Sequence, residues 1–363
     1  MEKVNNETRV QPAQALSSER GERNYGIDLL RVVSMFMVCV LHVLGLCGIL
    51  PNVKFSTGQY AAAWFLEIAC YGAVNCYALI SGFVGYRSKF KLSNLAVLWL
   101  QVALTGGLIA VGFAAYHGTL QPSVLLEFLP IWMKRYWYFT AYFGLFFLMP
   151  ILNAGINAID KRVFEVCLVC LFILFSVVCY FKQLFQLDEG YSMLWLAYLY
   201  LVGGYIAKYK PFTKIKSRWL ILFAICCILG TWILKAWKNR DFYGYLSPAH
   251  VLFAVALLEL FSRIKITKGK GVVSFFASTS FGVYIIHTRG EIISLLRFER
   301  YAEFHPLLLL VAVLGTAVAL YLACTLLDYL RLLLFKLIRV KSLLQNLENR
   351  IINLFQGKNH VSE

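Results

Sequence analysis

Charge is what this chain has least of. Only 15% of its 363 residues are Asp, Glu, Lys or Arg, against roughly 25% in soluble globular proteins, while 60% are apolar or aromatic. The charge-free stretches are long, which excludes an ordinary soluble fold. Alternation is missing as well. The apolar runs are continuous, so the chain does not read as the strands of a closed barrel, and helices remain to satisfy backbone groups in lipid. Disorder is excluded by the apolar surface of 28 Phe, 21 Tyr and 8 Trp. Acidic residues are scarcer still, 19 against 35 basic ones, a net charge of +16. That excess invites a nucleic-acid reading until membrane sidedness is counted.

A bilayer core of about 30 Å takes about 20 apolar residues in a helix. Ten segments meet or approach this: 27–49, 60–86, 92–116, 136–153, 163–181, 191–209, 218–237, 244–263, 272–290 and 306–327. The expected fold is therefore an all-α, polytopic bundle of about ten transmembrane helices. With the N-terminus inside, 24 Lys and Arg fall on inner segments and 10 on outer ones, with Arg31 left within a span. The asymmetry predicts both termini in the cytoplasm and accounts for most of the basic excess without nucleic acid.

Residues 1–24 read as a flexible cytoplasmic tail with no cleavable signal peptide. The stretch 120–135 reads as interfacial or re-entrant. Residues 331–363 read as a cytoplasmic tail with an amphipathic helix, because Val340, Leu343, Leu344, Leu347 and Ile351 recur at helical spacing. Most of the ten cysteines lie in spans. Cys167 and Cys170 have zinc-like spacing but no nearby His or carboxylate, so they are expected to be packing residues, and no metal site is expected.

Polar groups inside spans are costly and mark pathways or sites. Arg31 and His42 lie eleven residues apart in the first span, roughly 16.5 Å along a helix and only about 20° from alignment. Both therefore project from one face, Arg31 near the cytoplasmic end and His42 deeper. Counting depth along the second and ninth spans brings Glu67 and His287 near the level of His42. Two histidines and a carboxylate are thus expected to converge, with Glu67 either orienting an imidazole or staying as a protonated, hydrogen-bonded acid. Asn75, Ser81, Arg87, Lys89 and Lys91 fall toward the inner level with Arg31. They form either a mouth for a phosphate-bearing ligand or no more than the positive-inside bias.

The words around these residues resemble a known family. Gly26-Ile-Asp-Leu-Leu-Arg31 followed by His42, then Ala78-Leu-Ile-Ser81-Gly82-Phe83, then Trp137-Tyr-Phe139 leading to Tyr142, Pro150 and Asn153, then Ser280-Phe-Gly282-Val-Tyr284-Ile-Ile-His287 occur in the order seen in membrane-bound acyltransferase-3 proteins. The similarity spans 26–327 and is nearest to the surface-polysaccharide O-acyltransferase branch, which includes enterobacterial common antigen O-acetyltransferases. It implies transfer of an acyl group, usually acetyl from cytoplasmic acetyl-CoA, to a sugar hydroxyl of an envelope polysaccharide or lipid-linked glycan. It also implies a multi-pass protein of the bacterial inner membrane, with acetyl-CoA a co-substrate and no bound cofactor. By position, His42 and Arg31 match the family's essential histidine and arginine. Where many relatives carry adjacent arginines after the second span, this chain has Arg87-Ser-Lys89-Phe-Lys91.

On this reading CoA phosphates meet Arg31, Ser81, Arg87, Lys89 and Lys91, and the thioester reaches His42, which acts as general base or as nucleophile. Glu67 and His287 support it, Ser280 and Tyr284 are candidate oxyanion donors, and Asn75 is a further candidate. Two rivals are a transporter or flippase for envelope glycans and a subunit that relays acyl groups to a partner. A homo-oligomer is compatible with all three.

Overall fold

The computed structural model describes residues 23–182 and 184–357, and among these there is no β-strand. The main helices are α1 Tyr25–Gly45, α2 Gly58–Cys70, α3 Ala73–Gly85, α4 Leu92–Tyr116, α5 Trp137–Ala158, α6 Lys161–Phe172, α7 Met193–Tyr209, α8 Ser217–Lys238, α9 Pro248–Ser262, α10 Lys270–His287, α11 Pro306–Leu337 and α12 Val340–Gly357. A π-helical segment, Ile173–Val178, prolongs α6. All ten expected segments are helical. Seven stretches are long and apolar enough to cross a membrane, with α2 and α3 together forming one of them, while α7, α9 and α10 fall outside that set. Nearly all of the expected N-terminal tail, residues 1–22, lies outside the described residues.

Local chemistry sets the helix starts. Asn24 caps α1: its side-chain oxygen accepts from Gly26 N at 2.9 Å and Ile27 N at 3.3 Å, and its amide donates to Ser262 O at the end of α9. Such caps satisfy donors that a helix leaves orphaned. Ser192 caps α7 by accepting from Trp195 N at 3.2 Å.

Glycine decides how closely the central helices approach. A Cβ on Gly82 of α3 would lie 1.9 Å from the Tyr200 carbonyl of α7, and one on Gly203 of α7 would lie 2.0 Å from the Leu79 carbonyl of α3. The two backbones touch because neither has a side chain at the crossing, the small-residue packing that holds helices together in lipid. Gly26 likewise admits the Phe261 carbonyl of α9 to within 2.0 Å of where its Cβ would be. These crossings pack α3 against α7 and α1 against α9, and α10 packs along α1.

The C-terminal part differs from the expected boundary at 331. Helix α11 runs on through Leu337, because its apolar surface continues past 327, and a left-handed turn at Arg339 (φ 55°) starts α12. From α12, Glu348 accepts from Leu92 N at 2.6 Å and Ser93 N at 3.3 Å, capping α4 from outside. The bond to Ser93, working against partial burial and joined by the Leu92 contact, holds the Glu348 carboxyl below its usual range. A depressed carboxyl stabilises the docked state above its ordinary value of 4.5 and ceases to do so as pH falls through the lowered value. Acidification is therefore expected to release α12, and Glu348→Ala to release it already at neutral pH. Limited proteolysis at the Ile338–Arg339 turn reads this directly, and equal cleavage of wild type and Glu348→Ala at both pH values would deny the latch.

Candidate active site

His42, in the last turn of α1, and His287, the last residue of α10, are brought together: His42 Nδ1 lies 2.7 Å from His287 Nε2. The remaining partner fixes who donates. His287 Nδ1 lies 2.6 Å from the Val283 carbonyl one turn back. A carbonyl only accepts, so His287 Nδ1 carries a proton. In the neutral pair His287 Nε2 then presents its lone pair, His42 Nδ1–H donates to it, and His42 Nε2 is left as an unprotonated nitrogen. His287 is 1% exposed, whereas the half-buried His42 lines a small chamber. Among the described residues the free nitrogen of His42 has no hydrogen-bond partner, and the ring lines that chamber.

The chamber has a volume of about 40 Å³ and is walled by Val74, Tyr77, Tyr138, Tyr245, Phe281 and Tyr284, among others. Among the described residues no carboxylate or lysine lines it, and His42 is the strongest base that does. Tyr77, Tyr138 and Phe281 also line a second cavity of about 360 Å³ on the Arg31 side. Arg31, Ser81, Ser88, Lys89, Asn94 and Asn153 bring polar groups to it. Arg31 Nη1 donates to Asp28 at 2.6 Å, yet its side chain remains 30% exposed and faces the cavity. A basic, hydroxyl- and amide-lined recess therefore lies against the chamber of the imidazole, with three aromatic rings as their common wall.

The candidate residues separate clearly. Arg31, Ser81 and Lys89 line the inner cavity, whereas Arg87 and Lys91 are exposed and do not. Arg87 instead lies 5.1 Å from the Tyr86 ring. Asn75 is not part of the inner mouth: it is fully buried, donates to the Tyr245 carbonyl at 2.9 Å and accepts from Trp195 Nε1 at 3.2 Å. It locks the segment that places Tyr245 in the chamber wall. Ser280 donates to the Phe276 carbonyl at 2.7 Å and meets Tyr321 Oη at 3.1 Å, so its hydroxyl is already engaged, and it does not line the chamber. Tyr284 does line it.

Glu67 is not the orienting acid of either histidine. It makes no hydrogen bond to them, and the Val283 carbonyl takes that role instead. Glu67 is 8% exposed, one helical turn before Tyr71, with Oε2 unpartnered among the described residues.

Just beyond His287, Arg289 is 3% exposed and binds Glu127 at 3.0 Å and Glu291 at 2.5 Å. Glu127 also takes Arg135 at 2.5 Å. Burial pushes the Glu127 carboxyl up, but the bonds from Arg135 and Arg289 outweigh it and hold the group below the usual carboxylate range. This cluster orders the stretch 120–135, expected to be interfacial or re-entrant, as a 3-10 turn over Pro122–Phe128, and it clamps the end of α10 that carries His287. In the sequence Arg135 and Arg289 carry no signal beyond positive charge, and Tyr77 and Tyr138 do not stand out among 21 tyrosines.

Among known protein families, residues 24–328 match the one described as an acyltransferase domain, acyltransferase 3. No curated protein and no solved structure matches the chain at a significant level.

Proposed function

We propose, from the premise that this chain belongs to the acyltransferase-3 family, that it moves a short acyl group, acetyl above all, from cytoplasmic acyl-CoA to a hydroxyl of an envelope polysaccharide or lipid-linked sugar. The observation that carries this reading is the hydrogen-bond chain from the Val283 carbonyl through His287 to His42, whose ring lines a chamber that shares three aromatic walls with a basic recess. The CoA phosphates sit at Arg31 and Lys89, the pantetheine arm runs along the inner cavity, and the thioester enters the chamber. The small chamber volume favours acetyl over long chains.

His42 Nε2 takes the proton of the acceptor hydroxyl as its oxygen attacks the thioester carbonyl. The tetrahedral oxyanion is met by the Tyr284 hydroxyl, and collapse expels the CoA thiolate, which recovers a proton from His42. Alternatively His42 itself receives the acyl group before passing it on. All ten helical segments cross the bacterial inner membrane in this reading, with both ends of the chain cytoplasmic, as the Lys and Arg asymmetry supports.

The purified chain, given radiolabelled acetyl-CoA and candidate glycans, is expected to release free CoA and yield labelled glycan. Label that crosses the membrane without transfer would favour a relay or transporter. Arg31→Ala is expected to raise the acetyl-CoA KM by about ten- to hundredfold, the worth of a charged hydrogen bond. Arg31→Lys is expected to recover only part, because the planar fork is lost. Unchanged donor KM in both would leave Arg31 as the partner of Asp28 alone.

A further inference from the structure

A third cavity lies on the side of the chamber away from Arg31. It has a volume of about 610 Å³ and is lined by Tyr71, Tyr180, Tyr191, Phe242 and Tyr243, with Glu189, Arg240 and Asp241 adding charge. Helix length explains why it is there. At 1.5 Å per residue, α7 and α9 span only about 26 and 22 Å, short of a bilayer core of about 30 Å. The segments that precede them, 184–192 and 239–247, descend into the bundle until Tyr243 and Tyr245 meet Tyr71, which sits in the break between α2 and α3.

Only one layer of rings separates this cavity from the His42 chamber. Tyr71 and Tyr191 face the outer cavity, while Trp137 and Tyr245 face the chamber. Across the layer Trp137 and Tyr191 have centroids 4.5 Å apart, Tyr71 and Tyr245 5.0 Å, and Tyr191 and Tyr245 5.1 Å. One helical turn before Tyr71 on α2 stands Glu67, more than nine-tenths buried, with its Oε2 lacking a hydrogen-bond partner among the described residues. A buried carboxylate oxygen without a donor is costly unless a ligand supplies one.

We infer that the outer cavity is the acceptor subsite, that the ring layer of Tyr71, Trp137, Tyr191 and Tyr245 is the gate between acceptor and thioester, and that Glu67 is a specificity residue receiving a hydrogen bond from an acceptor hydroxyl. The chemistry selects a polyhydroxylated ring. Aromatic faces carry negative charge density that attracts the polarised C–H face of a pyranose, and the charged rim and Glu67 take its hydroxyls. Glu67 acts on binding and orientation, and the proton still goes to His42. The inference rests on the acyl-transfer reading for its meaning, but sugar binding at the cavity can be measured without turnover.

The test uses the full chain in lipid nanodiscs and saturation-transfer NMR with a fixed panel of oligosaccharides built from neutral hexose, N-acetylhexosamine or uronate. At least one is expected to bind through its C–H face. Affinity is expected to fall about tenfold in Glu67→Gln and in Tyr191→Ala, the scale of one polar or stacking contact. It should be retained in Tyr191→Phe, which keeps the ring and guards against misfolding, and in Arg31→Ala, which alters only the donor side. Absence of binding across the panel, or equal affinity in wild type, Glu67→Gln and Tyr191→Ala, overturns the subsite. Binding that behaves as expected while acetyl-CoA is never consumed sustains the subsite and overturns the acyl-transfer reading instead.

Discussion

His42→Ala is expected to abolish acyl transfer, with kcat falling by about 10²–10⁴ from loss of general-base catalysis alone. The effect should lie at the upper end, because the chamber holds no carboxylate or lysine to substitute for the imidazole. Tyr77, Tyr138, Tyr245 and Tyr284 surround the reacting position, but a neutral phenol is a far weaker base. The fold should survive, since the ring lines a cavity and its one side-chain hydrogen bond goes to His287. The donor KM should change little, since Arg31 and Lys89 line the inner cavity independently of the imidazole. The measurement is glycan labelling from radiolabelled acetyl-CoA, with thermal melting in detergent to certify folding. Transfer at the wild-type rate by folded His42→Ala removes the base from the chemistry. Rapid quenching of wild type without acceptor then separates the two routes, since a mass increase of one acetyl group on the peptide containing His42 marks the nucleophilic one.

How far this site was legible in the sequence depends on which coordinate each residue needed. Arg31 and His42 share a helix, so spacing fixed both their separation and their common face. In the structure Arg31 lines the larger cavity and His42 the chamber, two spaces that share Tyr77, Tyr138 and Phe281 as walls. His287 required only depth, and depth is readable once helix direction is known, because each residue advances 1.5 Å. Glu67 shows the limit of that reasoning. Depth gives height in the bundle but not azimuth, and Glu67 makes no hydrogen bond to either histidine. Asn75 was misplaced for a related reason: its partners are Tyr245 and Trp195, and no local pattern announces contacts so distant along the chain. Arg87 and Lys91 lie where inside-positive charge belongs in any membrane protein, so position alone does not separate a topological signal from a binding one.

The second large effect is expected at His287, which touches no reacting atom and acts through His42. In His287→Phe the His42 Nδ1–H loses its acceptor. An unsatisfied buried donor costs about 1–3 kcal/mol, and the ring can escape this by turning or by shifting its proton to Nε2. Either response removes the lone pair from the chamber. Loss of tautomer control in a serine-protease triad costs about 10⁴ in kcat; here the orienting partner is uncharged, so a fall of about 10²–10³ is expected. His287→Gln should retain much more activity, because a glutamine oxygen can still accept from His42 Nδ1–H. A merely structural role predicts a different pattern, in which both variants lose thermal stability and the transfer rate follows the folded fraction. The decisive readouts are therefore kcat against donor KM, and the ¹⁵N shifts of His42, which report which ring nitrogen holds the proton. Recovery in His287→Gln with His42 protonated at Nδ1 identifies His287 as the residue that keeps the base in its working form. Equal transfer by folded His287→Phe and wild type would mean that the chamber walls alone hold the imidazole.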